Sequence, residues 1–187
     1  MSRTSIINEK TNTVLIGFMG CGKTTAGRIA ARLAGMAFLD VDAEIERAEG
    51  KPIPDIFSEC GESYFRAAES KVIAGLAAAG TANAIIATGG GAVKNPENAR
   101  ILREIGKIVY LYASPQKLFS NLGGAAPRGR PLLDVPDPAG EIGRLLAERD
   151  PIYRSVCDAV VDCDRLDLEG AAFEIAGIAS PAGTGSL

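Results

Sequence analysis

An eight-residue motif near the start of the chain constrains the fold more than any other feature. Residues 17–24 have the sequence GFMGCGKT, which matches the G-x-x-x-x-G-K-[ST] loop whose backbone N–H groups wrap around phosphate oxygens. The motif follows the apolar run Val14-Leu15-Ile16 and precedes a helical pattern. This order predicts a buried strand, a glycine loop and a helix whose positive end faces the same anion. The alternative is a plain glycine-rich turn, but Lys23 at a helix N-terminus is unfavourable without an anion.

The residues of this motif have separable expected roles. We expect Lys23 to bridge the terminal phosphates of a nucleotide and the Thr24 hydroxyl to bind Mg²⁺. Cys21 lies inside the loop, and we interpret it as a small loop residue rather than as an activated thiol. The four cysteines include no C-x-x-C pair and the chain has no histidine, which argues against a zinc site and favours free thiols in a reducing compartment.

The composition favours one compact domain without nucleic-acid or membrane partners. The chain has 187 residues, with 20 Lys and Arg against 23 Asp and Glu, and so lacks the basic charge typical of nucleic-acid binders. No segment approaches the roughly 20 apolar residues of a membrane span, and residues 1–13 contain no secretory apolar region. We therefore expect a single domain over residues 1–187 that acts as a cytoplasmic monomer.

Strand-like apolar runs alternate with helical patterns along the chain, which predicts a doubly wound α/β fold with a parallel sheet. The five predicted strands are Thr13–Phe18, Ala37–Asp40, Ala84–Thr88, Lys107–Tyr112 and Ala159–Cys163. The predicted helices are Lys23–Gly35, Ala43–Gly50, Glu62–Ala79, Pro96–Ile105, Pro115–Leu122, Pro138–Arg149 and Leu168–Ile178. We expect the two ends, residues 1–12 and 180–187, to be flexible.

Candidate ligand-binding residues follow two of the predicted strands and lie in two of the predicted helices. Asp40 and Asp42 end the second strand, where two residues spaced by two in an extended chain point the same way. Taken alone, however, Asp42 is better explained as the cap of the next helix. The triple glycine Gly89-Gly90-Gly91 follows the third strand and indicates a ligand pressed against the backbone. Arg66 could bind a substrate carboxylate or form a surface salt bridge with a neighbouring glutamate. Spacing alone favours the salt bridge. Arg149 lies beside Pro151, which we expect to end or kink the helix.

The segment from Gly123 to Pro131, with the sequence GGAAPRGRP, has too many glycines and prolines for a regular element. It carries Arg128 and Arg130. Composition leaves two interpretations open: a mobile flap that delivers positive charge to the site, or an ordinary solvated loop.

These motifs, in this order, resemble the shikimate kinases, a family of P-loop enzymes related to nucleoside-monophosphate kinases. The resemblance extends from about Asn12 to Ile178 and rests on six stretches: IGFMGCGKTTAGRIAARL, FLDVD, DIFSECGESYFRAAE, ATGGGAV, RPLL and RDPIY. It implies a P-loop three-layer sandwich, with a five-stranded parallel sheet, helices on both faces and a mobile lid at about 114–133. It also implies a kinase that uses ATP and Mg²⁺ to phosphorylate the 3-hydroxyl of shikimate, a step of aromatic amino acid biosynthesis.

The resemblance implies roles for individual residues. The phosphate-binding set is Gly20, Cys21, Gly22, Lys23, Thr24 and Thr25, with Thr24 and Asp40 serving Mg²⁺. The shikimate-binding set is Asp42, Arg66, Gly89, Gly90, Gly91 and Arg149, in a pocket shaped by Phe57, Phe65 and Glu69. The expected catalytic residues are Lys23, Asp42 and Arg130, the last as the lid arginine that closes on ATP, and Arg165 is expected to pack on the adenine. The chain departs from the pattern at Asn121, where many relatives have an arginine.

Two alternatives remain. The first is a kinase of the same fold that acts on another small hydroxy acid or on a nucleotide, although a nucleotide acceptor would need a stacking pocket and the chain has no tryptophan. The second is an inactive nucleotide-binding relative, which the retention of Asp42, Arg66, the triple glycine and Arg149 disfavours.

Overall fold

The structure, a computed structural model, describes residues 11–124 and 133–180. Its centre is one sheet of five parallel strands in the order β2-β3-β1-β4-β5. The strands are β1 (Asn12–Ile16), β2 (Ala37–Asp40), β3 (Ala84–Ala87), β4 (Gly106–Tyr112) and β5 (Ala159–Asp162). The predicted parallel sheet is therefore confirmed, and each strand lies within two residues of its predicted bounds.

Helices connect the strands and cover both faces of the sheet. They are α1 (Lys23–Ala34), α2 (Val41–Glu49), α3 (Ile53–Ala78), α4 (Pro96–Ile105), α5 (Pro115–Asn121), α6 (Pro138–Val156) and α7 (Leu168–Ala179), with a short 3-10 helix at Ala92–Lys94. Successive residues of β1 pack against opposite layers, as alternation along a strand requires. Leu15 belongs to the core beneath α1 and α7, whereas Val14 and Ile16 belong to the core beneath α2, α3 and α4. The chain thus forms the three-layer sandwich that the sequence predicts.

Two helices differ from their predicted bounds by more than two residues. The helix predicted at Glu62–Ala79 begins earlier, at Ile53, and is broken at Gly61, whose φ of +80° is outside helical geometry. The helix predicted to end at Arg149 continues through Pro151 to Val156. Arg149 and Tyr153 lie one turn apart on its buried face, and both donate to the carbonyl oxygen of Gly90. These tertiary contacts favour helical geometry beyond the proline.

Asn12, which we expected within the flexible N-terminal stretch, is the first residue of β1 and is 2% exposed. Its Nδ2 donates to the carbonyl oxygens of Thr81 (2.6 Å) and Ile105 (2.8 Å), and its Oδ1 accepts from the N–H of Ala84 (3.0 Å). This side chain therefore joins the amino end of β1 to backbone groups beside the amino ends of β3 and β4. Ser180, placed with the flexible C-terminal stretch, caps α7.

The described part of the expected lid is its base, residues 114–124, which includes α5. Residues 125–132, and with them Arg128, Arg130 and Pro131, lie outside the described residues, as do residues 1–10 and 181–187. Within the ranges 11–124 and 133–180, no helix is long and apolar enough to cross a membrane.

Candidate active site

The phosphate loop joins β1 to α1 at the carboxyl edge of the sheet, where ligands bind in open α/β folds. Gly17, Gly20 and Gly22 have φ values of +139°, +84° and +97°, which residues with a side chain rarely adopt. A Cβ at Gly17 would also lie 2.5 Å from the carbonyl oxygen of Leu111. The glycines of the motif are thus required by both the backbone conformation and close packing, and they deliver the first turn of α1 to the site.

The Lys23 side chain is folded back over this loop. Its Nζ donates to the carbonyl oxygens of Gly17 (2.7 Å) and Phe18 (2.9 Å), and the residue is 7% exposed. Lys23 is therefore not the solvated residue that a plain glycine-rich turn would leave at the start of α1. A buried ammonium held by neutral carbonyls is a good donor for a phosphate, because an anion would stabilise the charge better than the carbonyls do.

Thr24 and Asp40 supply oxygens beside the loop. The Thr24 hydroxyl donates to Asp40 Oδ2 (2.8 Å), while Asp40 Oδ1 caps α2 by accepting from the N–H groups of Asp42 (3.0 Å) and Ala43 (3.4 Å). The helix cap is thus Asp40 rather than Asp42. One hydroxyl and one carboxylate fit Mg²⁺, which keeps several waters and uses few protein ligands. The described residues contain no cluster of three or more metal-ligating side chains, and none is needed for such a site.

A cavity of about 530 Å³ extends from the loop. Some of its lining residues follow β2 and β3: Asp40, Asp42, Thr88 and Gly90. Others come from α5 and from the segment between β5 and α7: Lys117, Asn121, Cys163, Leu166, Asp167, Leu168 and Ala171. All six predicted phosphate-loop residues, from Gly20 to Thr25, also line the cavity. The volume suits a nucleotide-sized ligand.

The predicted substrate residues converge next to this cavity. Arg66 Nη1 donates to Glu69 Oε2 (2.8 Å), and Arg66 Nε donates to Glu62 Oε1 (3.2 Å). A Cβ at Gly91 would lie 2.6–2.8 Å from the Arg66 guanidinium. Since Glu69 is 1% exposed, the Arg66–Glu69 pair is not a surface salt bridge. The surface salt bridge that spacing alone favoured is present as well, between Arg66 and Glu62, which is 51% exposed.

The triple glycine admits several of these side chains close to the backbone. A Cβ at Gly89 would lie 2.6 Å from Glu69 Oε1 and 2.9 Å from Asp42 Oδ1. Arg149 Nη1 donates to the Gly90 carbonyl oxygen (3.4 Å), and the Tyr153 hydroxyl donates to the same oxygen. A side chain at Gly89 or Gly91 would therefore displace a polar group of the site, whereas Gly90 contributes its carbonyl oxygen, and a side chain there would press on the backbone of the phosphate loop.

Three buried polar atoms at this position have no hydrogen-bond partner within the described residues: Asp42 Oδ1, Glu69 Oε1 and Arg149 Nε. Leaving a buried polar atom unpaired costs on the order of 1–3 kcal/mol. Two acceptors beside Gly89 and one donor of the arginine that contacts Gly90 are thus available for a ligand with both hydroxyl and anionic groups.

Burial also changes the acidity of the two carboxyl groups. Burial raises the pKa of Asp42, and the neighbouring Asp40 raises it further, while Lys23 and Arg66 act in the opposite direction. Burial likewise raises the pKa of Glu69, against the effect of Arg66. A carboxylate with a raised pKa is a better acceptor for a hydroxyl proton.

Aromatic rings support the two arginines. The Phe57 and Phe65 rings are 4.8 Å apart, and the Arg66 guanidinium lies 5.0 Å from the Phe65 ring centre. The Arg149 guanidinium lies 5.4 Å from the Phe18 ring centre. These contacts restrict the guanidiniums without neutralising them.

Arg165 lies apart from the predicted residues that converge. Its side chain is 85% exposed, its Nε lies 3.3 Å from Asp162 Oδ2, and it does not line the cavity. The three residues that follow it, Leu166, Asp167 and Leu168, do line the cavity. Stacking of Arg165 on the adenine stays a prediction.

Sequence reasoning missed Tyr153 and Lys117. Tyr153 lies four residues after Arg149, so a helix that continued through Pro151 would have placed both on one face. Lys117 lies four residues before Asn121, and the same helical spacing places both on the cavity wall.

Comparisons with known proteins agree on one family. A family model described as shikimate kinase matches residues 19–177. The shikimate kinase of Dechloromonas aromatica is 43% identical over 169 residues, which cover 90% of each chain, and that of Symbiobacterium thermophilum is 42% identical over 88% of this chain and 93% of its own. The structure of shikimate kinase from Acinetobacter baumannii in complex with shikimate superposes with a TM-score of 0.83, at 38% identity, over 89% of this chain and 91% of that one. The chain belongs to the shikimate kinase family.

Proposed function

We propose that this protein transfers the terminal phosphoryl group of ATP to the 3-hydroxyl of shikimate, giving shikimate 3-phosphate and ADP. The observation that carries the proposal is the set of unpaired buried atoms, Asp42 Oδ1, Glu69 Oε1 and Arg149 Nε, beside a complete phosphate loop. A ring that bears both a carboxylate and hydroxyl groups can pair with donors and acceptors of this kind. Relatives over most of the chain have the same activity in their names.

The two arginines hold the acceptor carboxylate in this mechanism. Arg66 is fixed by Glu69 and Glu62, so its planar guanidinium is presented with little loss of side-chain entropy. Arg149 is 2% exposed and has an unpaired Nε. Two guanidiniums on one carboxylate fix both the position and the rotation of the acceptor, which is most of what phosphoryl transfer requires.

Asp42 orients the attacking hydroxyl. Its Oδ1 is buried and unpaired, and a hydroxyl that donates to it is held between the glycine turn and the phosphate loop. Because the transition state of phosphoryl transfer is loose, proton removal is needed only late. The raised pKa of Asp42 then suits it to accept that proton as the bond to phosphorus forms.

The phosphate side is assigned to the loop. Lys23 would exchange its bonds to the carbonyl oxygens of Gly17 and Phe18 for bonds to phosphate, and Thr24 with Asp40 would hold Mg²⁺ directly or through water. Mg²⁺, when bound, neutralises charge on the terminal phosphates. Arg130 of the lid, which lies outside the described residues, is proposed to add positive charge there.

The site also suggests how the protein works in the cell. Its substrate is a small molecule, and a net charge of −3 gives no electrostatic drive toward nucleic acid. All four cysteines are free, consistent with a reducing compartment, and we place the protein in the cytosol as a monomer. Size-exclusion chromatography with light scattering measures the mass in solution. A monomer should have a mass of 19.4 kDa, and about twice that mass would contradict the proposal.

Product analysis tests the reaction. Incubation with ATP, Mg²⁺ and shikimate should give one phosphorylated product, and two-dimensional ¹H–³¹P NMR should couple the phosphorus to the proton on carbon 3. With 3-deoxyshikimate in place of shikimate, the enzyme should release ADP no faster than it does without an acceptor. Phosphorylation at another carbon, or equal turnover of the 3-deoxy compound, would contradict the proposal.

A further inference from the structure

Helix α5 presents one face to the nucleotide cavity. Lys117 and Asn121 are four residues apart and both line the cavity, as neighbours on one helical face do. Leu118 is fully buried in the core beneath α1 and α7, so the rotation of the short helix about its axis is fixed by packing. The same helix leads into the segment expected to form the lid, and Gly123 and Gly124 follow it with φ values of +96° and +65°.

Asn121 is joined to the phosphate loop rather than left free for a ligand. Its Nδ2 donates to the carbonyl oxygen of Gly20 at 2.9 Å, and because a carbonyl oxygen only accepts, the amide nitrogen must face it. The next residue, Leu122, packs on the same glycine, since a Cβ at Gly20 would lie 2.9 Å from Leu122 Cγ. Gly20 is thus held from two directions in its left-handed conformation.

Lys117 contributes charge to the interior of the cavity. Its side chain is half-buried and makes no ion pair with any residue of the ranges 11–124 and 133–180. Lys117 and Cys163 line the same cavity. Burial raises the pKa of the Cys163 thiol, and the positive charge of Lys117 acts in the opposite direction.

The charges of the cavity leave a role for this lysine. Among the described lining residues, the acidic ones are Asp40, Asp42 and Asp167 and the cations are Lys23 and Lys117. A nucleotide polyphosphate brings several negative charges into this already acidic cavity, and the proposed Mg²⁺ and Lys23 have to offset those charges as well as the three aspartates. Lys117 is the second cation that the described part of the chain offers.

We propose that α5 is a nucleotide-binding element of this protein, in which Lys117 pairs directly with the anionic phosphates and Asn121 acts through Gly20 as a positioning residue for the phosphate loop. This inference rests on the proposed kinase function, and it assigns the contacts at the base of the lid. A nucleotide that binds the loop also fixes the helix from which the lid departs.

Calorimetric titration with Mg²⁺·ADP tests the Lys117 contact. Lys117→Gln should raise the Kd of ADP about tenfold or more, the loss expected for one charge-assisted contact, and Lys117→Glu should raise it further. The Kd of shikimate should stay unchanged. The matched control is Lys107→Gln, because Lys107 is exposed and lies near the amino end of β4, the opposite edge of the sheet from the site. The Lys117→Gln variant should also lose part of the salt dependence of ADP binding.

Asn121→Ala tests the positioning role. We expect a higher KM for ATP with an unchanged KM for shikimate, together with faster amide hydrogen exchange in residues 20–22. Asn121→Gln, which keeps the donor, should restore part of the ATP affinity, and Ser120→Ala on the exposed side of the same turn should have no effect. Equal melting temperatures will show that the variants are folded.

The outcomes separate this inference from the function on which it rests. If wild-type protein and the Lys107→Gln control bind ADP and phosphorylate shikimate, and Lys117→Glu binds ADP equally well, the Lys117 contact is overturned while the kinase function stands. Unchanged loop exchange in Asn121→Ala overturns the positioning role in the same way. A wild-type protein that bound no ADP would overturn both the nucleotide site and this inference.

Discussion

A single added methyl group at Gly91 should weaken shikimate binding while leaving nucleotide binding intact. Gly91 has φ −112° and ψ −3°, a conformation open to residues with a side chain, so Gly91→Ala introduces little backbone strain. Its new Cβ would lie 2.6, 2.7 and 2.8 Å from Nη1, Nη2 and Cζ of Arg66. Ordinary contact needs roughly 3.5 Å or more, so the guanidinium must move by about 1 Å.

That displacement sets the size of the effect. Arg66 would leave the position in which Glu69 holds it at 2.8 Å and would lose its alignment with the acceptor carboxylate. A hydrogen bond to a charged group is worth about 1.5–3 kcal/mol, and each 1.4 kcal/mol is about a factor of ten in Kd. We therefore expect shikimate to bind about 10- to 150-fold more weakly.

Calorimetric titration with shikimate and, separately, with Mg²⁺·ADP measures both affinities. The control is Gly75→Ala, since Gly75 lies within α3 and a Cβ there would meet nothing within 4 Å. That variant should bind both ligands normally. A normal shikimate Kd in Gly91→Ala, or an equal loss of ADP binding, would refute the assignment of Arg66 to the acceptor carboxylate.

Three further substitutions test the assigned roles. Lys23→Ala should abolish turnover and leave a folded protein by circular dichroism, and near-normal turnover would contradict its role on the phosphates. Asp42→Asn should lose turnover yet melt at a higher temperature than wild type at pH 7. Burial raises the pKa of Asp42 in the folded protein above its ordinary 3.8, so its charge is better tolerated in the unfolded chain and destabilises the folded wild type. The advantage of Asn should therefore grow as the pH rises through the folded pKa, and thermal melts that show no such growth would refute the burial argument. Arg66→Lys keeps the charge but loses the planar fork, so steady-state kinetics should show a higher KM for shikimate with an unchanged KM for ATP, and a rise below about threefold would contradict a two-pronged contact.

Features formed by residues that are adjacent in the sequence could be predicted from it. The phosphate loop needs only a strand, three glycines with unusual φ and a helix start, all contiguous, and the structure has them where the motif indicates. The parallel sheet follows in the same way from apolar runs that alternate with helical patterns.

Other predictions placed a residue correctly for the wrong reason. We expected Asp40 and Asp42 to point together because an extended strand alternates, but α2 begins at Val41 and Asp42 lies in its first turn. Both residues still line the cavity, because the start of a helix also directs nearby side chains to the edge of the sheet. Spacing could not reveal this, since it does not determine which of the two residues is the cap.

The remaining features depend on contacts between distant parts of the chain. The bond from Asn121 to Gly20 joins residues 101 apart, so the sequence shows only that an arginine is replaced. The continuation of α6 through Pro151 depends on the contacts of Arg149 and Tyr153 with Gly90, and local propensity predicts the opposite. Burial of Glu69 likewise changes Arg66 from an apparent surface partner into part of a site.

The central claim is that shikimate is the phosphoryl acceptor. The rate of ADP release with different acceptors tests it most directly. With ATP and Mg²⁺ at saturation, kcat/KM should be measured for shikimate, for other hydroxy acids such as gluconate, and for nucleoside monophosphates. We predict a kcat/KM for shikimate at least a hundredfold above every other acceptor, because Arg66, Arg149 and Asp42 together fix a carboxylate and a hydroxyl on one ring, and two lost polar contacts cost about 3 kcal/mol or more. A hydroxy acid or a nucleotide that matched shikimate would contradict the claim.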